Sequence, residues 1–309
     1  MRLMLIYLPI AEMTVNVFSL LALGGATGIL SGLFGVGGGF LMTPLLIFLG
    51  IPPTVAVATS ANQIIASSVS GFLSHWRRGG VDFRMGNMLL LGGLLGSGLG
   101  ISLFTVLQKM GQIDLVISLL YIIFLGTIGG LMAYESYRSV MHYRKHQALP
   151  RRKNHHNRLQ RLPWRMRFPR SRLYISAMLP VGIGLGIGVM VSVMGLGGGF
   201  FMVPAMLYLL RMPTSVVIGT SLYQIIFVTA NVTILHATIT QTVDLILALL
   251  LLTGSVFGAQ FGARLAGKLP SQYFRALLAA LVLSVALKLA FDLFVMPHNL
   301  YNVTLEWPK

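Results

Sequence analysis

The chain has 309 residues, 55% of them hydrophobic and only 10% charged, with 35 glycines and a mean hydropathy of +0.80. Soluble domains carry about 25% charged residues, so this composition excludes an ordinary water-soluble fold and fits an all-α polytopic membrane protein. The net charge of +16 is concentrated in one place: residues 138–172 hold twelve of the 23 Lys and Arg and none of the seven acidic residues. The absence of Cys removes disulfide frameworks, thiolate catalysis, Fe–S clusters and Cys-ligated zinc.

Ten apolar segments are predicted in chain order, at 15–34, 40–50, 53–74, 86–107, 114–136, 173–194, 200–210, 214–235, 244–266 and 273–296. Arg2 followed by Leu3 to Ile10 imitates a signal peptide. Cleavage before Gly28 would delete the counterpart of residues 175–194, so an uncleaved first helix is expected. Eight segments are long enough to span. The other two, 40–50 and 200–210, would be helices of about 16 Å, half of the roughly 30 Å hydrocarbon layer. They occupy matching places in the two halves of the chain. The domain division that follows is an amino-terminal repeat at 1–137, a basic loop at 138–172, a carboxy-terminal repeat at 173–296 and a tail at 297–309.

The match extends well beyond the short segments. Gly35-Val-Gly-Gly-Gly-Phe40-Leu-Met-Thr-Pro44 aligns with Gly195-Leu-Gly-Gly-Gly-Phe200-Phe-Met-Val-Pro204 at an offset of 160. At 161, Pro52, Thr59, Ser60, Gln63, Ile64, Ile65 and His75 stand opposite Pro213, Thr220, Ser221, Gln224, Ile225, Ile226 and His236. At 162, Val81-Asp82 aligns with Val243-Asp244, and Gly92, Gly96 and Gly100 with Gly254, Gly258 and Gly262. This is an internal duplication.

Lys and Arg set the orientation. A cytoplasmic 138–172 loop also brings Arg77, Arg78, Arg84, Arg211, Arg264, Lys268 and Arg275 inside and leaves only Arg2, Lys109 and Lys309 outside. Both termini are then external, and the expected location is the bacterial inner (cell) membrane. Each half crosses an odd number of times, so the two repeats are inverted. Many secondary transporters build a midplane site from such repeats with interrupted helices.

Two hydrophobic halves, each with a Gly-x-Gly-Gly-Gly-Phe turn, a Pro four residues on, a Thr-Ser pair and a downstream Gly-xxx-Gly segment, resemble the sulfite exporter TauE/SafE family of membrane permeases. The resemblance covers about residues 15–296. It implies transport of small sulfur-containing anions such as sulfite, sulfoacetate or taurine-derived compounds. The long basic central loop departs from the family's usual pattern.

The residues carry a chemistry of their own. Three glycines before a short helix let backbone N–H groups converge on a point that the helix dipole makes electropositive, an environment suited to an anion. Gly37, Gly38 and Gly39, with Gly197, Gly198 and Gly199, are therefore candidate substrate-binding residues. Thr59, Ser60, Gln63, Thr220, Ser221 and Gln224 could complete the oxyanion's hydrogen bonds. Close helix packing is the competing reading of the same residues, and it is preferred for the Gly92 and Gly254 stripes. His75 and His236 are candidate proton or anion contacts, although interfacial anchoring is the simpler role. Asp82 and Asp244 read as helix caps.

The basic loop, with its four His and interleaved Trp164 and Phe168, reads as an orientation signal lying on anionic lipid headgroups rather than as a nucleic-acid module or a metal site. Neither His-Glu-x-x-His nor Gly-x-Ser-x-Gly occurs, and Gly35 to Phe40 fails the dinucleotide pattern, so no enzyme and no cofactor is expected. The expected function is export of a small sulfur-containing or organic anion by alternating access. The alternatives are an anion channel, or a non-transporting membrane assembly or scaffold protein that uses the basic loop.

Overall fold

The computed structural model describes residues 5–34, 39–143, 164–171, 173–210, 212–266 and 271–294. Each half begins with a feature absent from the hydropathy pattern. Before the first helix, β1 (Leu5–Leu8) and β2 (Met13–Asn16) pair antiparallel, with Leu5 opposite Asn16. In the second half β3 (Arg165–Phe168) and β4 (Leu173–Ser176) pair with Arg165 opposite Ser176. The two hairpins are 160 residues apart in register, and Phe168 and Ile175 take the buried places of Leu8 and Val15. Residues 5–10 of the apolar 3–10 stretch are thus a strand leading into a turn, and the first four residues of the expected 173–194 helix are strand. A four-residue strand carries too little alternation to compete with a strong apolar run.

The second hairpin also shortens the expected loop. Arg170 Nη1 donates to the carbonyls of Gly79 and Val81, both at 3.0 Å, and Phe168 is buried. Residues 164–171 are therefore built into the fold, whereas the loop's expected lipid contact falls mainly on 144–163, outside the described residues.

The helices follow the expected order. The first half contains α1 (Val17–Phe34), α2 (Gly39–Phe48), α3 (Pro53–Arg77), α4 (Phe83–Lys109) and α5 (Ile113–Tyr143), the last running past residue 137 into the stretch read as loop. The second contains α6 (Met178–Met194), α7 (Gly199–Pro204), α8 (Thr214–Leu235), α9 (Leu245–Ala266) and α10 (Ser271–Phe294). Among the described residues, four stretches are long and apolar enough to cross a membrane: Phe83–Lys109, Ile113–Tyr134, Val216–Thr240 and Leu245–Gly262.

Short helices stand at both expected places, α2 with ten residues and α7 with six. Each contains a proline, Pro44 in α2 and Pro204 at the end of α7. Proline lacks an N–H and its ring strains the preceding turn, and after Pro204 the chain widens into a π-helical turn, Ala205–Leu209. There Leu210 N bonds Ala205 O at 3.2 Å.

The chain divides into two compact units. One contains residues 118–146 and 271–309, where Gly129 of α5 lies against Leu283 and Val282 of α10. The other, residues 1–117 and 147–270, joins the two halves of the sequence through paired helices. Here α1 packs on α9, α4 on α6, and α3 on α8. The glycine stripes make the first two contacts. A Cβ at Gly254, Gly258 or Gly262 would strike the carbonyls of Leu21, Gly25 and Ile29, while one at Gly92 or Gly96 would strike those of Val181 and Leu185. From the other side, Gly24 and Gly28 meet the backbones of Leu251 and Ser255, and Gly184 and Gly188 those of Leu89 and Gly93. Small residues allow this backbone contact where lipid supplies no hydrophobic drive between helices.

Two buried aspartates fasten the halves together. Asp82 Oδ1 caps α4 by accepting from Met85 N at 3.2 Å, and Asp244 Oδ1 caps α9 by accepting from Leu247 N at 3.1 Å. Their second oxygens are held by the opposite half. Asp82 Oδ2 accepts from Ser171 N at 3.0 Å and Ser171 Oγ at 2.6 Å, and Asp244 Oδ2 accepts from Ile10 N at 3.1 Å. The aspartates' own N–H groups donate across as well, from Asp82 to Thr220 Oγ1 at 2.9 Å and from Asp244 to Thr59 Oγ1 at 3.1 Å. Each hairpin thus holds the aspartate of the other half.

Two predictions follow from this packing. Asp82→Ala should lower unfolding stability by about 3 kcal/mol, because it removes a cap and leaves the buried Ser171 donors unpaired, and Ser171→Ala by about 1 kcal/mol. Chemical denaturation in detergent measures both, and an Asp82→Ala loss below about 1 kcal/mol would contradict the clasp. Gly96→Leu should abolish folded yield, whereas Gly98→Leu should retain it, since nothing lies within 4 Å of a Cβ at Gly98. Equal yields of the two by size-exclusion chromatography would argue against backbone contact along α4.

Candidate functional site

Polar residues concentrate on α3 and α8. Thr59, Ser60 and Gln63 lie at positions that share one helical face, and so do Thr220, Ser221 and Gln224. All six are at most 2% exposed. Buried polar groups in a membrane helix need partners, so the hydrogen-bond account of each one is informative.

Thr59 and Thr220 accept from the N–H groups of Asp244 and Asp82, which places them in the joints between the halves. Ser60 Oγ lies 2.8 Å from Thr43 Oγ1, 3.0 Å from Val57 O and 3.3 Å from Gly195 O, linking α3 to α2 and to the glycine motif of the second half. Ser221 Oγ donates to Ile218 O at 2.9 Å, within its own helix.

The glutamines differ from these hydroxyls. Gln63 Nε2 donates to Thr27 Oγ1 at 3.3 Å. The Thr27 hydroxyl already points at the carbonyls of Leu23 and Gly24, at 2.9 and 3.1 Å, so its oxygen can only accept from Gln63. That fixes the amide's orientation and leaves Gln63 Oε1 buried without a hydrogen-bond partner among the described residues. Gln224, at the equivalent position, has neither its nitrogen nor its oxygen partnered among the described residues. Its amide lies against Gly93, where a Cβ would stand 2.7 Å from Nε2. Asn62 Nδ2 is likewise buried and unpartnered.

The described end of the first glycine motif, Gly39 and Phe40, lies beside the second motif. Phe40 and Phe200, which follow the glycines, stack with ring centroids 4.4 Å apart. Gly195, Gly197 and Gly198 have φ of +68°, +67° and +72°, a left-handed run that residues with a Cβ rarely adopt. The space beside them is filled by aliphatic side chains. Ile64 occupies the positions where Cβ atoms of Gly39 and Gly197 would stand, and Ile187 and Val191 lie against Gly198. Gly199 is the buried first residue of α7. Gly37 and Gly38 lie outside the described residues.

The two histidines part company. His75 is half-buried near the end of α3, as its position in the sequence implies. His236 is fully buried, with Nε2 2.9 Å from Ser192 O, Nδ1 3.1 Å from Thr240 Oγ1 and its ring edge-on to Phe104 at 4.7 Å. A π-helical turn, His236–Thr240, carries the chain beyond the predicted helix end, which makes His236 a link between helices instead of an interfacial anchor. Sequence reasoning passed over Thr27, Asn62 and the Asn231–Ser97 hydrogen bond of 2.8 Å. An amide inside an apolar segment was the available signal for Asn62 and Asn231.

Comparison with known proteins places the chain in a family. A model of the sulfite exporter TauE/SafE family matches residues 20–289. A Bacillus subtilis (strain 168) protein named "Probable membrane transporter protein YjnA" is 29% identical over 241 residues, covering 77% of this chain and 85% of that protein. A "Probable membrane transporter protein" of Xylella fastidiosa (strain Temecula1 / ATCC 700964) is 30% identical over 201 residues, covering 64% and 66%. "Sulfite exporter TauE/SafE family protein 1" of Arabidopsis thaliana is 51% identical over a 41-residue stretch, 13% of this chain and 9% of that protein. No solved structure matches the chain. The family match runs from α1 into α10 and takes in both polar helices and both buried aspartates, and the chain belongs to the sulfite exporter TauE/SafE family.

Proposed function

We propose that this integral membrane transporter exports a small sulfur-containing or organic anion by alternating access between two inverted repeats. The observation that carries the reading is the pair of buried, incompletely bonded amides, Gln63 on α3 and Gln224 on α8, at equivalent places in the two halves. A polar group left unpartnered inside a membrane helix is costly unless a ligand or water meets it. The names borne by relatives, sulfite exporter among them, favour an anion as that ligand.

The reciprocal joints supply the motion. Each half grips the other through an aspartate, a threonine and a hairpin, so the two ends of the molecule have equivalent fastenings, and loosening one while the other holds would open one side at a time. In this reading the basic 138–172 segment is cytoplasmic, the Asp82 joint faces the cytoplasm and the Asp244 joint faces outward. The segments 1–137 and 173–296 are the two repeats, the first headed by its hairpin and the second by a hairpin that begins at Arg165, within the basic segment. Ile64 closes the glycine motifs. Its side chain covers Gly39 and Gly197, and an anion reaches those backbone amides once it turns away.

Counterflow in proteoliposomes tests the proposal. Sulfite, thiosulfate, taurine, short sulfonates and short carboxylates are offered as the internal anion against a labelled trace of the same anion outside. Saturable, trans-accelerated uptake of at least one is the expected result. Flux that rises linearly with concentration and shows no counterflow would contradict a carrier.

A further inference from the structure

The unpartnered amides also constrain what the substrate must present, given the reading of Gln63 and Gln224 as substrate contacts. Every glutamine amide carries one acceptor oxygen and two N–H donors, whichever way it is assigned. At Gln63 the nitrogen faces Thr27, which takes one of its two N–H groups, and the oxygen is the atom without a partner among the described residues. Gln224 offers a free donor and a free acceptor, and Asn62 Nδ2 a further donor. Taken as substrate contacts, the two amides present at least two acceptors without donors among the described residues, Gln63 Oε1 and Gln224 Oε1, along with their donors.

A fully deprotonated oxyanion can only accept. It would use the nitrogens and face both carbonyl oxygens with negative charge, leaving them unsatisfied. Nor is there a nearby source of second-charge compensation. Among the described residues no Lys or Arg is buried, and the buried carboxylates, Asp82 and Asp244, are committed to the joints. A neutral amide lining tolerates one delocalised negative charge far better than two.

We propose that the transported species is a monoanion carrying its own hydrogen-bond donor, a protonated oxyanion or a hydroxyl-bearing sulfonate or carboxylate, which donates to Gln63 Oε1 or Gln224 Oε1 while its charged end accepts from the amide nitrogens. A site with buried groups that pair with a substrate hydroxyl rejects the analogue lacking it strongly, because binding the analogue strands those groups.

Calorimetric titration of the purified full chain with a matched trio isolates this requirement: 2-hydroxyethanesulfonate, ethanesulfonate and the dianion 1,2-ethanedisulfonate. The expected result is 2-hydroxyethanesulfonate binding about tenfold or more tightly than ethanesulfonate, with the dianion weakest. Gln63→Met and Gln224→Met, close in volume and apolar, should reduce the preference to about threefold or less. Equal affinity of the first two ligands for the unaltered protein would overturn the donor requirement and leave the anion-transport reading standing. A preference that survives in both Met variants would assign the amides to bound water and overturn it too. Binding of none of the three, together with no counterflow of any anion, would remove the transport-site reading and this inference with it. The comparison within the unaltered chain decides the question even if a variant fails to fold.

Discussion

A carboxylate buried at a helix N-terminus is the constraint around which this molecule is arranged. Asp82 and Asp244 each have one oxygen committed to capping their own helix and the other to a donor from the far half of the sequence. A buried charge is tolerable only when several donors surround it. Those donors sit on the hairpins, and Thr220 and Thr59 receive the aspartates' N–H groups from α8 and α3. The hairpins, the starts of α4 and α9, and the polar faces of α3 and α8 are thereby fixed relative to one another by the same few bonds, once in each half.

The helix contacts complement these joints. Lipid is as apolar as the helix surfaces, so association depends on close packing and on polar bonds. Glycines on α1, α4, α6 and α9 supply the close packing, and the aspartate joints supply the polar bonds. Gln63 bonds to Thr27 of α1 and Gln224 packs on Gly93 of α4, yet neither contact accounts for the unpartnered atoms of the two amides. Those atoms make the two amides, more than the glycine motifs, the centre of the substrate reading. The glycines are lined by Ile64, Ile187 and Val191 in the present arrangement.

Much of this was legible in the sequence because duplication writes each feature twice. The half-helices, the glycine stripes, the aspartate caps and the six polar residues of α3 and α8 all stand out at offsets of 160–162. Other features depended on distances that no local pattern encodes. Thr59 reads as a ligand for substrate, yet its partner Asp244 lies 185 residues away. The hairpins were hidden because their strands are four residues long and merge into an apolar run on one side and a basic one on the other. The burial of His236 depended on a π-helical turn that hydropathy does not register. The missing partners of Gln63 and Gln224 became visible only when every neighbouring donor and acceptor could be counted.

The proposed alternating access requires the two equivalent joints to lie at opposite faces of the membrane. The natural chain has no Cys, so one introduced thiol is the sole reactive thiol. Thr14 and Tyr174 are equivalent, exposed residues on β2 and β4. In sealed cells, a membrane-impermeant maleimide should label Thr14→Cys directly and Tyr174→Cys only after permeabilisation. Labelling of both from the same side would contradict inverted repeats and, with them, opposed joints.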